Sequence, residues 1–114
     1  MRYFVVINEQ GPAWVPGRSM RDQAGWADHA AYVNALVRDG FIVIAGPLGE
    51  GPIHRALLVV NAPSEEALRA KWADDPWIRS GVLHCVRIDP WTVLASDDRL
   101  DRVLAEITGG ALSG

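Results

Sequence analysis

Apolar residues in this chain come in short dense runs separated by glycine and proline. Tyr3 to Ile7 is a run of aromatic and β-branched residues closed by Asn8 and by Gly11-Pro12, which predicts a buried strand. Residues 9 to 21 carry Gly11, Pro12, Pro16 and Gly17 without any periodicity. They predict a loop of about a dozen residues, a length that in a small domain often carries function. From about Asp22 to Asp39 the period changes, with Trp26, Ala30, Val33 and Val37 forming one stripe of an amphipathic helix that Gly40 ends. Phe41 to Ala45 predicts a second strand, stopped by Gly46-Pro47, and Gly49, Gly51 and Pro52 predict a turn into a third strand from about His54 to Asn61. Ser64 is placed as an N-cap, with Glu65-Glu66 in the first turn of a helix that carries Leu68 and Trp72. That helix must stop at Asp75, because Pro76 follows. Ser80-Gly81 then turns the chain into a fourth strand, Val82 to Ile88, ended by Asp89-Pro90. Residues 97 to 107 read as a short polar helix, and Gly109 to Gly114 as a frayed tail.

The order strand, helix, strand, strand, helix, strand is the split βαβ, or ferredoxin-like, order. It predicts an α+β fold in which two right-handed crossovers place both helices on one face of a four-stranded antiparallel sheet. The strands are apolar on both faces: Tyr3, Val5 and Ile7 alternate with Phe4 and Val6, and Ala56, Leu58 and Val60 with Leu57 and Val59. A sheet wetted on one side alternates apolar with polar instead. Something must therefore cover the second face. The C-terminal helix is short and polar, so a second copy of the sheet is the better candidate, and a homodimer packed sheet to sheet is expected. Residues 1 to 94 are expected to form this domain and residues 95 to 114 an extension.

The 114 residues suffice for one core and not for two. Net charge is -3, and the basic residues, ten Arg and Lys71, are scattered rather than striped, which argues against a nucleic acid or an anionic membrane as partner. No apolar run approaches the ~20 residues that span a bilayer. The start of the chain lacks a cleavage site, and one cysteine, Cys85, permits no intrachain disulfide. A cytoplasmic location is expected.

The usual nucleophile, zinc-protease, Cys-x-x-Cys and phosphate-loop signatures are missing, and the glycine-rich segment Gly46 to Pro52 reads as a hairpin turn. Three histidines remain. His29 falls beside the apolar stripe of the first helix, so its ring is partly buried and requires a partner, and on helical spacing alone a satisfied structural histidine is the plainer reading. His54 starts the third strand beside a turn and reads as solvated; His84 lies in the fourth strand on either face. The partner for His29 is suggested by Ala73-Asp74-Asp75-Pro76-Trp77. Helix C-termini disfavour negative charge, so a carboxylate held there often has a purpose, although Asp before Pro is also ordinary turn chemistry. In this fold the two helices lie side by side, so Asp75 can approach His29 and orient its imidazole, as in acid/base enzymes. No local pair has metal-ligand spacing, and no metal is expected.

His29 within Trp26-Ala27-Asp28-His29-Ala30-Ala31-Tyr32, the strand ending Ala45-Gly46-Pro47-Leu48, and Ala73-Asp74-Asp75-Pro76-Trp77 followed by Gly81-Val82 together resemble the YciI-like (YCII-related) family. The likeness runs over about residues 1 to 94, including the closing Asp89-Pro90-Trp91-Thr92-Val93. The resemblance implies a dimeric α+β barrel of ferredoxin-like protomers with a His-Asp pair that by position is His29 and Asp75. It also implies activity on small ring-derived or dienone-like molecules by proton transfer and elimination of a leaving group. Related barrels include cofactor-independent monooxygenases and muconolactone isomerases.

On this basis the expected function is cofactor-independent acid/base chemistry on a small molecule, as a lyase, isomerase or dehydrohalogenase. His29 would be the base and Asp75 would orient it. Arg18 or Arg21 of the long loop could clamp a substrate carboxylate, and Trp14, Trp26, Trp72 or Trp77 could wall an apolar pocket. Solvated arginines and core tryptophans are the plainer readings, the latter favoured for Trp26 and Trp72. The alternative function is a non-catalytic dimeric domain that binds a small ligand or serves as structure.

Overall fold

The structure, a computed structural model, describes residues 2–100. Its strands are β1 (Arg2–Gln10), β2 (Ile42–Pro47), β3 (Arg55–Ala62) and β4 (Leu83–Trp91), and its helices α1 (Trp26–Arg38), α2 (Glu65–Ala73) and α3 (Pro76–Ser80). The strands form one sheet in the order β2-β3-β1-β4, with every neighbouring pair antiparallel. This is the ferredoxin-like α+β arrangement that the hydrophobic pattern predicts. The polar helix predicted over 97–107 and the tail over 109–114 run outside the described residues.

The core lies between the sheet and the two long helices. Phe4 and Val6 of β1, Leu58 and Val60 of β3 and Ile42 of β2 pack with Leu36 of α1 and with Leu68 and Trp72 of α2. Ser64 caps α2 as expected, its hydroxyl accepting from the Ala67 N–H at 3.1 Å. The buried side of α1 is displaced from the predicted stripe. Leu36 is its buried residue, with Tyr32 and Val33 packed beside it, while Val37 is exposed.

The strands outrun their predicted ends, each for a local reason. β1 continues from Ile7 to Gln10 because its next polar side chains on the helix side find partners. Asn8 accepts from the Trp72 indole N–H at 3.2 Å, and Gln10 accepts from the His54 backbone N–H at 2.8 Å. β2 and β4 run through Pro47 and Pro90 because both are edge strands, where a missing N–H breaks no ladder bond on the open side.

Two corrections concern the helices. The first helix starts at Trp26 rather than near Asp22, preceded by a single 3-10 turn, Met20–Asp22. Between them Gln23 is extended and its side chain is spent on the loop, accepting from the Val15 N–H at 2.8 Å and donating to the carbonyls of Val15 (2.9 Å) and Arg18 (3.1 Å). The second correction is α3. The segment after Pro76 is helical, because proline is preorganised for a first helical position and Asp75 caps it. Asp75 therefore sits at a helix N-terminus, which favours a carboxylate, and not at the unfavourable C-terminal end.

The face opposite the helices carries Tyr3, Val5, Ile7, Leu57 and Val59, all half-buried, with Ile44 exposed at the β2 edge. Its centre is apolar, as the sequence predicts. His84 is on this face, exposed and paired with Glu9.

The loop from Gly11 is held against the α3–β4 junction. Gly11 N–H donates to the Val82 carbonyl (2.8 Å), and Ala13 N–H to the Gly81 carbonyl (3.0 Å). A Cβ on Gly11 would stand 2.2 Å from the Gly81 carbonyl oxygen, so only glycine permits this approach. Gly11→Ala is expected to destabilise the fold by about 1–3 kcal/mol, the usual range for overpacking a tight contact. Chemical denaturation will show it as a lower midpoint at unchanged slope; an unchanged midpoint would mean that the loop does not depend on this approach.

Candidate active site

His29 and Asp75 are 46 residues apart and meet. The His29 Nδ1 lies 2.9 Å from Asp75 Oδ1 and 3.1 Å from Oδ2. Asp75 reaches this place as the cap of α3, its Oδ1 also accepting from the Trp77 backbone N–H at 2.9 Å. His29 reaches it from the first turn of α1, where its own N–H donates to the Gly25 carbonyl at 3.0 Å. The side chains are 13% and 10% exposed, so water competes little for the contact. A carboxylate only accepts, so Nδ1 carries the proton and Nε2 keeps the lone pair of the neutral ring.

The ring is also fixed from its flat side. His29 stacks on Trp77 with centroids 4.0 Å apart and planes 9° from parallel, and Trp26 lies against both rings. Trp77 is 1% exposed, and its indole N–H donates to the Ala24 carbonyl at 2.7 Å. Four residues of one segment, Asp75 to Ile78, thus supply a helix cap, a carboxylate for the histidine, a stacking plane and an apolar contact to the core.

The pair borders a cavity of about 220 Å³ between sheet and helices. Tyr32, Val33 and Leu36 of α1 line one side, and Leu58 and Ala56 of β3 the other. Trp26, Trp72 and Trp77 contribute to the wall, while Trp14 stands behind it, meeting Trp77 edge-on at 6.1 Å. Burial, and then the charges of Asp74 and Asp75, hold the Tyr32 hydroxyl above its ordinary value, and it donates to the Lys71 carbonyl at 2.7 Å.

The loop arginines are not brought to this cavity. Arg18 and Arg21 are exposed, and the Arg21 guanidinium lies over the Trp26 ring at 5.6 Å, outside the lining. Gln23 folds the loop inward by its tryptophan and leaves the arginines in water, where a guanidinium is well solvated. Among the described residues no three His, Cys, Asp or Glu side chains gather as a metal site, and no helix is long and apolar enough to cross a membrane. Burial pushes the Cys85 thiol up, which disfavours its nucleophilic form.

Two cavity residues, His54 and Asn8, and one residue of the loop beside it, Gln23, are not picked out by the sequence reading. His54, expected in solvent, lines the cavity and stacks on Trp14. Gln23 carries no signal beyond its place in an aperiodic loop. Asn8 does carry one: it follows Phe4 and Val6 on the alternating buried row, and a polar residue on such a row needs a partner.

No curated protein matches the chain. Among solved structures it is similar to 5-chloro-2-hydroxyhydroquinone dehydrochlorinase from Burkholderia phenoliruptrix AC1100, determined in complex with 2,5-dihydroxybenzoquinone. The two share 20% identity at a TM-score of 0.56, over 78% of this chain and 93% of that one, a likeness of fold. The family model of the YCII-related domain matches residues 1–92, and the chain belongs to that family.

Proposed function

We propose that this protein is a cofactor-independent enzyme that moves a proton on a small ring-shaped molecule and expels a leaving group, with His29 as base and Asp75 as its orienting partner. The observation that carries this reading is the His29–Asp75 hydrogen bond of 2.9 Å on the wall of an apolar cavity. With Nδ1–H given to Asp75, Nε2 is left to take a proton from whatever fills the cavity. The carboxylate then faces an imidazolium and stabilises it across a short, poorly hydrated gap.

The cavity size selects the substrate class. An apolar cavity of roughly 150 Å³ holds benzene, so about 220 Å³ holds one ring with a few substituents. The proton taken by Nε2 leaves its electron pair on the substrate, that pair forms a new π bond, and the leaving group departs with its own bonding pair. The sum is loss of HX, with no change in electron count, so the step requires no redox cofactor. The ligand and activity of the structural neighbour, a dehydrochlorinase with a dihydroxybenzoquinone bound, support this class. The apolar open face of the sheet supports a homodimer packed face to face. The domain would then comprise residues 1–94, with 95–114 as an extension.

Chloride release from 5-chloro-2-hydroxyhydroquinone, with chlorinated hydroxyaromatics, lactones and dienones as a panel, tests the chemistry. His29→Gln is expected to lose at least about 10²-fold in kcat while keeping the wild-type melting temperature. Asp75→Asn, which keeps a good helix cap, is expected to lose about 10²–10⁴-fold because the ring is no longer held in one tautomer. A wild type that turns over nothing in the panel, or a His29→Gln variant as active as wild type, would overturn the reading. Static light scattering tests the assembly: about twice the 12.4 kDa of one chain is expected, and a monomer at micromolar concentration would exclude the sheet-to-sheet dimer.

A further inference from the structure

The cavity holds a second imidazole that the acid/base pair does not use. His54 stands where the loop after β2 enters β3. Its backbone is fixed by β1: its N–H donates to Gln10 Oε1 at 2.8 Å, and its carbonyl accepts from the Gln10 N–H at 2.9 Å. Its ring lies flat on Trp14, with centroids 4.4 Å apart and planes at 11°. Trp14 in turn meets Trp77, on which His29 is stacked. The two imidazoles therefore terminate one aromatic ladder, His29 entering the cavity from the helix layer and His54 from the sheet.

The rings differ in one respect. His29 has a carboxylate on Nδ1, whereas neither ring nitrogen of His54 has a hydrogen-bond partner among the described residues. Burial, and then repulsion from His29 whenever that ring is protonated, pushes the His54 pKa below its ordinary value, which favours the neutral ring. A neutral imidazole offers one N–H donor and one acceptor. Such a group in an apolar wall is costly to leave unpaired when a ligand displaces the water around it. Two imidazoles in one cavity, one paired with a carboxylate and one kept neutral, are thereby suited to different tasks.

Building on the reading of the cavity as a site for ring substrates, we propose that His54 hydrogen-bonds an oxygen substituent on the ring. The site then selects rings oxygenated at two positions, one facing His29 and one facing His54. Trp14 is a positioning residue in this scheme, since it holds the His54 ring without reaching the cavity.

Calorimetric titration with hydroquinone and with phenol tests this. The probes share a ring and differ by one hydroxyl, so their affinity ratio isolates the second contact. Wild type is expected to prefer hydroquinone about fivefold, the value of one net hydrogen bond. In His54→Phe, which keeps an aromatic ring against Trp14, the ratio is expected to fall to about one. His54→Gln, which keeps a donor and an acceptor, is expected to recover part of the preference. A purely structural role would move both affinities together. An unchanged ratio in His54→Phe, or a wild type that shows no preference or binds neither probe, would overturn the proposal. The outcome is separate from catalysis. Should His29→Gln abolish turnover while His54→Phe leaves the ratio intact, only the role of His54 falls. Should His29→Gln leave turnover intact while the ratio collapses in His54→Phe, only the acid/base reading falls.

Discussion

The site depends on one carboxylate. Asp75 caps α3 through the Trp77 N–H and binds His29 Nδ1 with the same side chain, at 2.9 Å in each case. The chain break that proline imposes after α2 is what makes this possible. Pro76 cannot continue the helix, so Asp75 takes an extended conformation and begins a new one, its side chain turned back over the first amides. A cap is satisfied locally, but this cap has a second customer on another helix. Local backbone geometry and long-range pairing therefore constrain each other, and the histidine is held by the same few atoms that start α3.

Around that pair the structure arranges an apolar, aromatic setting. Trp77 provides the plane under His29, Trp26 closes one side, and Trp72 and Leu58 join the cavity wall to the main core. The loop from Gly11 completes it. Gly11 docks on the Val82 carbonyl and Ala13 on that of Gly81, Gln23 ties Val15 and Arg18, and Trp14 is thereby placed behind His54. Within such walls a charge-assisted hydrogen bond is stronger than in water, and the imidazolium of the proposed reaction would have few competing partners for its proton. The polar groups of the cavity are few and each has a fixed backbone origin, a general trait of small-molecule sites.

Much of the fold is legible in the sequence because it rests on periodicity. The alternation in Tyr3 to Ile7 and Ala56 to Val60, the helical stripe, and the cap at Ser64 lead to the split βαβ order without reference to tertiary contacts. Element ends are less legible, since they depend on partners distant in sequence. β1 reaches Gln10 only because Trp72 and His54 supply bonds to Asn8 and Gln10. The meeting of His29 with Asp75 is legible in outline, from a half-buried histidine, a carboxylate before proline and the packing of two helices. α3 is not, because a five-residue helix has too few turns to show a period. His54 is opaque for a related reason: a histidine beside a turn is ordinarily wet, and only the folded-in Trp14 makes it part of a cavity. Arg18 and Arg21 show the converse, since a loop rich in candidate ligands can be turned with its charged side outward.

The pairing of His29 with Asp75 can be observed directly through the imidazole nitrogens. A long-range ¹H–¹⁵N correlation spectrum of the histidine rings at neutral pH reports which nitrogen carries the proton. For His29 a protonated Nδ1 and an unprotonated Nε2 are predicted, with the Nδ1 proton in a strong hydrogen bond that Asp75→Asn weakens. A ring protonated at Nε2, or a freely exchanging mixture of tautomers indifferent to Asp75→Asn, would contradict an orienting carboxylate and with it the base on which the proposed chemistry rests.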